Sequence, residues 1–266
     1  MNKSNYILPA VMLLALSAST SCQKVITLNL QNVASKYVIE ANVTDQPGPY
    51  TVTITKSVSF TQDNIYPTVS GAIVVIKDVT ANATDTLKET TPGNYVTQTL
   101  VGVPMHQYSL YVNAANNIFT ASNIMPQHVT MDTLYAQLSG FRGNNYEVVP
   151  VYSDPTPFGN YYHFVEVKND TVMPSIYIRN DELINGRLIN TPLGGGGNGG
   201  SRIAPGDIVN IYLECIDSAI YQYYYGLQQS ENQNSSSPAN PISNISGGCL
   251  GYFSAHTSSY GTIVIP

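Results

Sequence analysis

Tryptophan is absent, cysteine occurs three times, and only 11% of the residues are charged, far below the roughly one quarter usual in soluble domains. Basic residues are scarcest: 11 Lys and Arg stand against 17 Asp and Glu. With no basic stripe to neutralise phosphates, nucleic acid is not an expected partner. No apolar run is long enough to cross a bilayer as a helix, which takes about 20 residues; the best is Ile7 to Leu16, interrupted by Pro9. What the chain does have is Thr, Asn, Ser and 20 tyrosines, a composition suited to an extracytoplasmic β protein.

The N-terminus reads as an export signal over residues 1–21. Lys3 supplies the positive start, Ile7 to Leu16 the short apolar stretch, and small residues Ser17 to Ser21 lead to Cys22. Ser19-Thr20-Ser21-Cys22 is similar to a lipobox, so Cys22 is the expected site of acylation and the chain a lipoprotein held on outer-membrane lipid. Each buried methylene of an acyl chain contributes about 0.8 kcal/mol, so two or more chains make a lasting anchor. Gln23 in place of Asp after the cysteine argues against inner-membrane retention, and either face of the outer membrane is compatible. Setting Cys22 aside leaves Cys215 and Cys249 as an even pair, for which a disulfide and two separate buried thiols are the alternatives.

Beyond the leader, the apolar period is two. Val25 to Leu30, Tyr37 to Val43 and Tyr50 to Ile54 alternate, with Gln46-Pro47-Gly48-Pro49 reversing the chain between the last two. Gly71 to Ile76 reads as a more continuous, better buried strand. Tyr95 to Thr97, Tyr108 to Val112 and Ile118 to Ala121 complete about seven short strands, an immunoglobulin-like β-sandwich over residues 22–128. A second β-rich domain is expected over 129–266, from Met131 to Tyr135, Tyr146 to Tyr152, Tyr161 to Val167, Asp207 to Leu213, Tyr252 to Ala255 and Thr262 to Ile265. Its one helix is expected near 218–229, capped by Asp217 or Ser218, with Ile220, Tyr224 and Leu227 on one face. The fold class is therefore mainly β.

Chemical motifs are scarce. Gly195 to Gly200 satisfies G-x-G-x-x-G in letters, but it lacks the strand before and helix after that dinucleotide binding requires; Gly194 to Gly200 reads as a surface loop. His106, His128, His163 and His256 stand far apart in the chain, so a metal site would have to assemble from long-range contacts. Asp132, Asp154, Asp207 and Asp217 occupy strand ends, turns or the helix start, where Asp serves backbone amides. No catalytic set, metal or cofactor is expected, and the protein is not read as an enzyme. Tyrosine is the remaining oddity, with Tyr221 and Tyr225 beside the helix's apolar stripe as candidates for an exposed contact surface.

Several longer phrases carry a family likeness: Val69 to Val74, Pro92 to Tyr95, Tyr108 to Val112, Ile216 to Tyr224 and above all Asn240 to Ala255. In these the chain resembles the Bacteroidota lipoproteins that share domain of unknown function 4249. The resemblance implies a lipid-anchored outer-membrane protein encoded near TonB-dependent transporters, with no activity assigned. It also implies that a cysteine is not usual at positions 215 or 249. The function expected is therefore an accessory protein partnering a TonB-dependent transporter barrel in nutrient capture or uptake; the alternative is a stand-alone surface glycan- or peptide-binding lipoprotein, adhesin-like in use.

Overall fold

A computed structural model describes residues 34–59, 63, 65–139, 145–194, 202–231 and 240–266. The leader, Cys22, the strand expected at Val25 to Leu30 and most of the glycine-rich stretch lie outside these residues. The first half comprises β1 (Tyr37–Thr44), β2 (Thr51–Lys56), β3 (Ile73–Asp78), β4 (Ala83–Thr86), β5 (Lys88–Thr91), β6 (Asn94–Val96), β7 (Gln107–Ala114) and β8 (Asn117–Ile124). The second comprises β9 (Met131–Leu138), β10 (Tyr146–Ser153), β11 (Tyr161–Lys168), β12 (Thr171–Val172), β13 (Tyr177–Asn180), β14 (Leu188–Ile189), β15 (Ile208–Ile216), helix α1 (Ser218–Glu231) and β16 (Leu250–Val264).

Alternation decides which face of each strand is buried. Ile39, Ala41 and Val43 of β1, Val52 and Ile54 of β2, and Tyr108, Leu110, Val112 and Ala114 of β7 point inward, with more exposed residues between them. The sheet β4-β3-β7-β8 and the β16-β1-β2-β6-β5 end of a nine-stranded sheet bring these residues into one core, so the first half is a β-sandwich. The more continuous, better buried strand expected at 71–76 alternates instead: Val74 and Ile76 are buried, whereas Ile73 is 55% exposed. Its sheet faces a core on one side only, so one residue in two of that apolar run faces outward.

A second core lies between the three-stranded sheet β14-β10-β9 and the β11-β15-β16 part of the nine-stranded sheet. Val209, Ile211, Leu213 and Cys215 of β15 alternate into it, facing Tyr152 and Val148 of β10. The two cores do not part at the expected break of 128/129, since Ile245, Cys249, Phe253 and Ala255 pack into the first, and residues 35–266 form one compact unit.

The reason is β16, which sequence alone divides into two strands. Its first half, from Leu250 to His256, runs parallel to β1; its second half, from Thr257 to Val264, runs antiparallel to β15. The polar run between the halves reads as a break in the hydrophobic pattern, yet backbone pairing continues through it. Gly251 is required at the start: its φ is +93°, and a Cβ there would lie 2.0 Å from the Ile39 carbonyl oxygen. The segment before β16 closes an edge. Ser246 exchanges backbone hydrogen bonds with Thr120 of β8, and Asn244 pairs with the backbone NH and carbonyl of Phe253.

Candidate functional site

Helix α1 begins where Asp217 Oδ1 accepts the Ile220 amide at 2.8 Å, which makes Asp217 the cap. Burial dominates the other influences on this carboxyl and raises its pKa. The helix packs against β11, β13 and β16, with Ile220 and Tyr223 buried and Tyr224 partly so.

Beneath Tyr224 the strand registers assemble a polar cluster. His163 of β11 lies opposite Glu214 of β15, and Glu214 lies opposite Ser258 of β16. Ser254 and His256 share that face of β16 because a strand repeats every two residues. The His163 ring stacks on Tyr224 at 4.0 Å, and its Nδ1 sits 2.8 Å from Glu214 Oε2. On the other side His256 Nε2 lies 3.6 Å from Glu214 Oε1, and its Nδ1 lies 2.9 Å from Ser254 Oγ. Burial opposes the Glu214 charge, but His256 and His163 together outweigh it and hold the carboxyl below its ordinary pKa. Tyr224 donates to the Tyr252 hydroxyl at 3.5 Å; burial chiefly raises the pKa of both phenols, as it does for Tyr223, pushed up to about 12.

Serine, histidine and glutamate in one chain are the residue types of a nucleophilic relay. Here the serine faces Nδ1 and the carboxylate Nε2, the reverse of the arrangement in which the acid orients the imidazole and Nε2 takes the serine proton. Ser254 is 2% and His256 6% exposed, so the hydroxyl has no face to offer a substrate. Both nitrogens of the histidine pair that approach Glu214 are spent on its two oxygens, and among the described residues no His, Cys, Asp and Glu group is arranged to hold a metal ion. What the cluster does is fix α1 to the seam where β16 passes between cores. Sequence reasoning missed it because its members come from three strands; pairing register, not spacing, brings them together.

The accessible surface begins on the next rung. Tyr212 and Tyr260 pair directly across β15 and β16, their rings 6.0 Å apart, and are 38% and 69% exposed. Beyond them Thr262 donates to Asn210 Oδ1 at 2.7 Å, and then exposed Ile208 and Val264 pair. The ladder carries no formal charge. An exposed apolar and aromatic strip of this kind marks interaction sites. Alternation already placed Tyr212 on the face opposite Val209, Ile211 and Leu213; Tyr260 gave no such signal, because it lies in the polar run.

The two tyrosines expected as a contact surface divide. Tyr225 is 46% exposed, whereas Tyr221 is half-buried between Tyr161, 5.1 Å away, and Tyr225, 6.4 Å away. The disulfide alternative is corrected. Cys215 and Cys249 are both free and buried, each in a different core. Cys215 pairs with Thr257, which puts it about 26 Å along β16 from Cys249 at roughly 3.3 Å per residue, whereas bridged Cα atoms lie within about 7 Å. Burial pushes the Cys215 thiol up to about 11 and raises Cys249 as well, so both stay protonated and unreactive. A shallow groove of about 450 Å³ on the first sandwich, lined by Gly48, Pro49 and Val96 to Val101, offers only backbone, hydroxyl, amide and aliphatic groups. No helix among the described residues is long and apolar enough to cross a membrane.

Comparison with known proteins bears on this geometry in two ways. The family described as "Domain of unknown function (DUF4249)" matches residues 23–261. No curated protein matches the chain.

Proposed function

We propose, from the premise that the chain belongs to the DUF4249 family, that it is a lipid-anchored accessory protein of the outer membrane. It docks a barrel partner, a TonB-dependent transporter, and assists nutrient capture or uptake. The observation that carries this reading is the uncharged ladder of Tyr212, Tyr260, Ile208 and Val264 exposed on the outer face of β15 and β16. Tyrosine and aliphatic side chains on a rigid sheet lose little freedom when covered, and hot spots of interfaces draw on such aromatic anchors. The leader and Cys22 support the anchor. On this reading the Ser254–His256–Glu214 relay is structural and the protein does not catalyse a reaction; hydrolytic activity abolished by Glu214→Gln would overturn that.

The test is affinity capture of the wild-type protein and a Tyr212→Ser/Tyr260→Ser variant from outer membranes in mild detergent. One barrel protein recovered stoichiometrically with wild type, and lost with an equally acylated variant, supports the reading. A barrel retained by the variant, or wild type recovered alone, overturns it. The paired rings beside the Asn210 amide and Thr262 hydroxyl favour a second reading, a glycan binder, in which sugar rings stack on tyrosine and their hydroxyls meet the flanking polar groups. That reading requires the isolated protein to retain glycans on an array, and to lose them with the same two substitutions.

A further inference from the structure

The second core contains two polar donors with nothing to donate to. Arg179 of β13 lies opposite Tyr162 of β11, its guanidinium over the Phe164 ring at 5.2 Å. Nη2 donates to the carbonyls of Thr191 and Pro192 at 2.9 and 3.0 Å. Nη1 is buried and has no hydrogen-bond partner, and the ion pairs among the described residues are all made by histidines, so no carboxylate lies within ion-pair distance of this charge. Tyr152 of β10 is fully buried, and its hydroxyl is also without a partner. Its ring lies 5.0 Å from Tyr162 and 5.9 Å from Phe164, so all four side chains belong to one cluster.

An unpaired buried charge and an unpaired buried hydroxyl each cost free energy, and two together call for an occupant. The nearby Asp154 does not fill that role: its carboxylate accepts from the Tyr162 hydroxyl and from the Gly186 amide at 2.9 Å. Burial pushes the Tyr152 phenol up to about 12 against both the charge and the close side-chain approach of Arg179, which falls short of a well-formed hydrogen bond, so the two donors converge and the hydroxyl keeps its proton at neutral pH. Two donors, one of them charged, match a group that only accepts and carries negative charge. Guanidinium suits carboxylate and related oxyanions because its planar fork offers charge-assisted bonds.

We propose that Arg179 and Tyr152 form a binding site for a small oxyanion, a carboxylate or inorganic phosphate, with Nη1 and Oη as its donors. The bonds to Thr191 and Pro192 tie the guanidinium to the segment leading into the glycine-rich stretch and hold it at the margin of the core. The site is independent of the docking ladder, which lies on the opposite face of the same sheet.

The experiment is thermal unfolding of the full chain in acetate or phosphate, with chloride balancing ionic strength, for wild type and for Tyr152→Phe. Above half-saturation the wild-type Tm rises by about 4 °C for each tenfold increase in the free concentration of the anion that binds. Tyr152→Phe is at least as stable as wild type in chloride, since it removes a buried hydroxyl that had no partner, but needs roughly tenfold more oxyanion for the same rise, the value of one charge-assisted bond. Equal anion dependence in the two proteins, or no rise beyond chloride, overturns the proposal. A crystal structure at saturating anion gives a second reading that stands even if Tyr152→Phe fails to fold: an oxyanion against Nη1 and Oη supports the site, and a water molecule alone there overturns it.

Discussion

The two sandwiches solve the same problem with different interiors. The first core mixes aliphatic side chains with tyrosines whose hydroxyls are matched by backbone groups, Tyr50 by Gln46 and Gly102, Tyr95 by Val69 and Ala72, and Tyr108 by Val103. Of its buried carboxylates, Asp85 Oδ2 takes the amides of Gln98, Thr99 and Leu100 at 2.9, 2.7 and 2.7 Å, and Asp78 faces His106 at 2.7 Å. The second core holds Tyr152, Tyr162 and Phe164 with Arg179 over the phenylalanine, and buries Glu166 and Asp154. Among the described residues, three of the four buried polar atoms without partners, on Tyr152, Arg179 and Asn185, lie in the second half of the chain. A buried polar group stabilises a fold only when its donors and acceptors are matched. The contrast separates a half whose buried polar groups are largely matched from a half in which buried donors remain open.

The comparison breaks most completely at the strand the halves share. Gly251→Ala drives a Cβ into the Ile39 carbonyl and should cost upwards of about 4 kcal/mol, so that both sandwiches unfold in a single transition or the protein is recovered insoluble. Loss of one half with retention of the other, seen by hydrogen exchange, would contradict the shared-strand account. Next in size are single carboxylates. Asp85→Ala strands three amides in the first half, at about 3 kcal/mol, and Asp154→Ala strands the Tyr162 hydroxyl and the Gly186 amide in the second, at about 2 kcal/mol. Urea denaturation of each should rank them in that order.

Proton linkage sharpens the contrast further. Asp78, Asp85 and Glu214 have pKa values below the ordinary carboxylate range: burial opposes ionisation, and amide or histidine partners outweigh it. Their contribution is present above the unfolded-state pKa near 4 and is lost as pH falls through the lower folded-state values, so acid should weaken both halves. Cys215, pushed up to about 11, and Tyr152 and Tyr223, each pushed up to about 12, shift the other way through burial. Their contribution is full below the unfolded-state values, near 8.5 for Cys and 10 for Tyr, and is lost as pH rises through the folded-state ones. Since only Tyr108 in the first core is raised as far, hydrogen exchange at high pH should loosen the second half first. At the small end, reductant should leave Tm unchanged, because Cys215 and Cys249 do not pair. Tyr260→Ser should alter stability by no more than about 0.5 kcal/mol, an exposed substitution whose effect appears only in binding.

Local pattern made much of this architecture legible. The alternation at Ile39, Ala41 and Val43, the turn at Gln46 to Pro49 and the cap at Asp217 are written within a few residues of where they act. What was illegible depends on register between distant strands. Nothing near His163 names Glu214, and nothing near Tyr212 names Tyr260; a shift of one residue in β15 would turn Glu214 away from His163 and Tyr212 away from Tyr260. Arg179 is the same case, since its isolation from any carboxylate is a property of the packed core and of no sequence window.

The passage of β16 between the sandwiches sets an order of events for a chain delivered from its N-terminus. Residues 250–264 join the two ends of one nine-stranded sheet that lines both cores, so neither core can close while those residues are still in the ribosome. A polypeptide made this way stays threadable until its last strand emerges and then folds both halves at once, and a product truncated before Leu250 would be left with two open cores for proteases to clear.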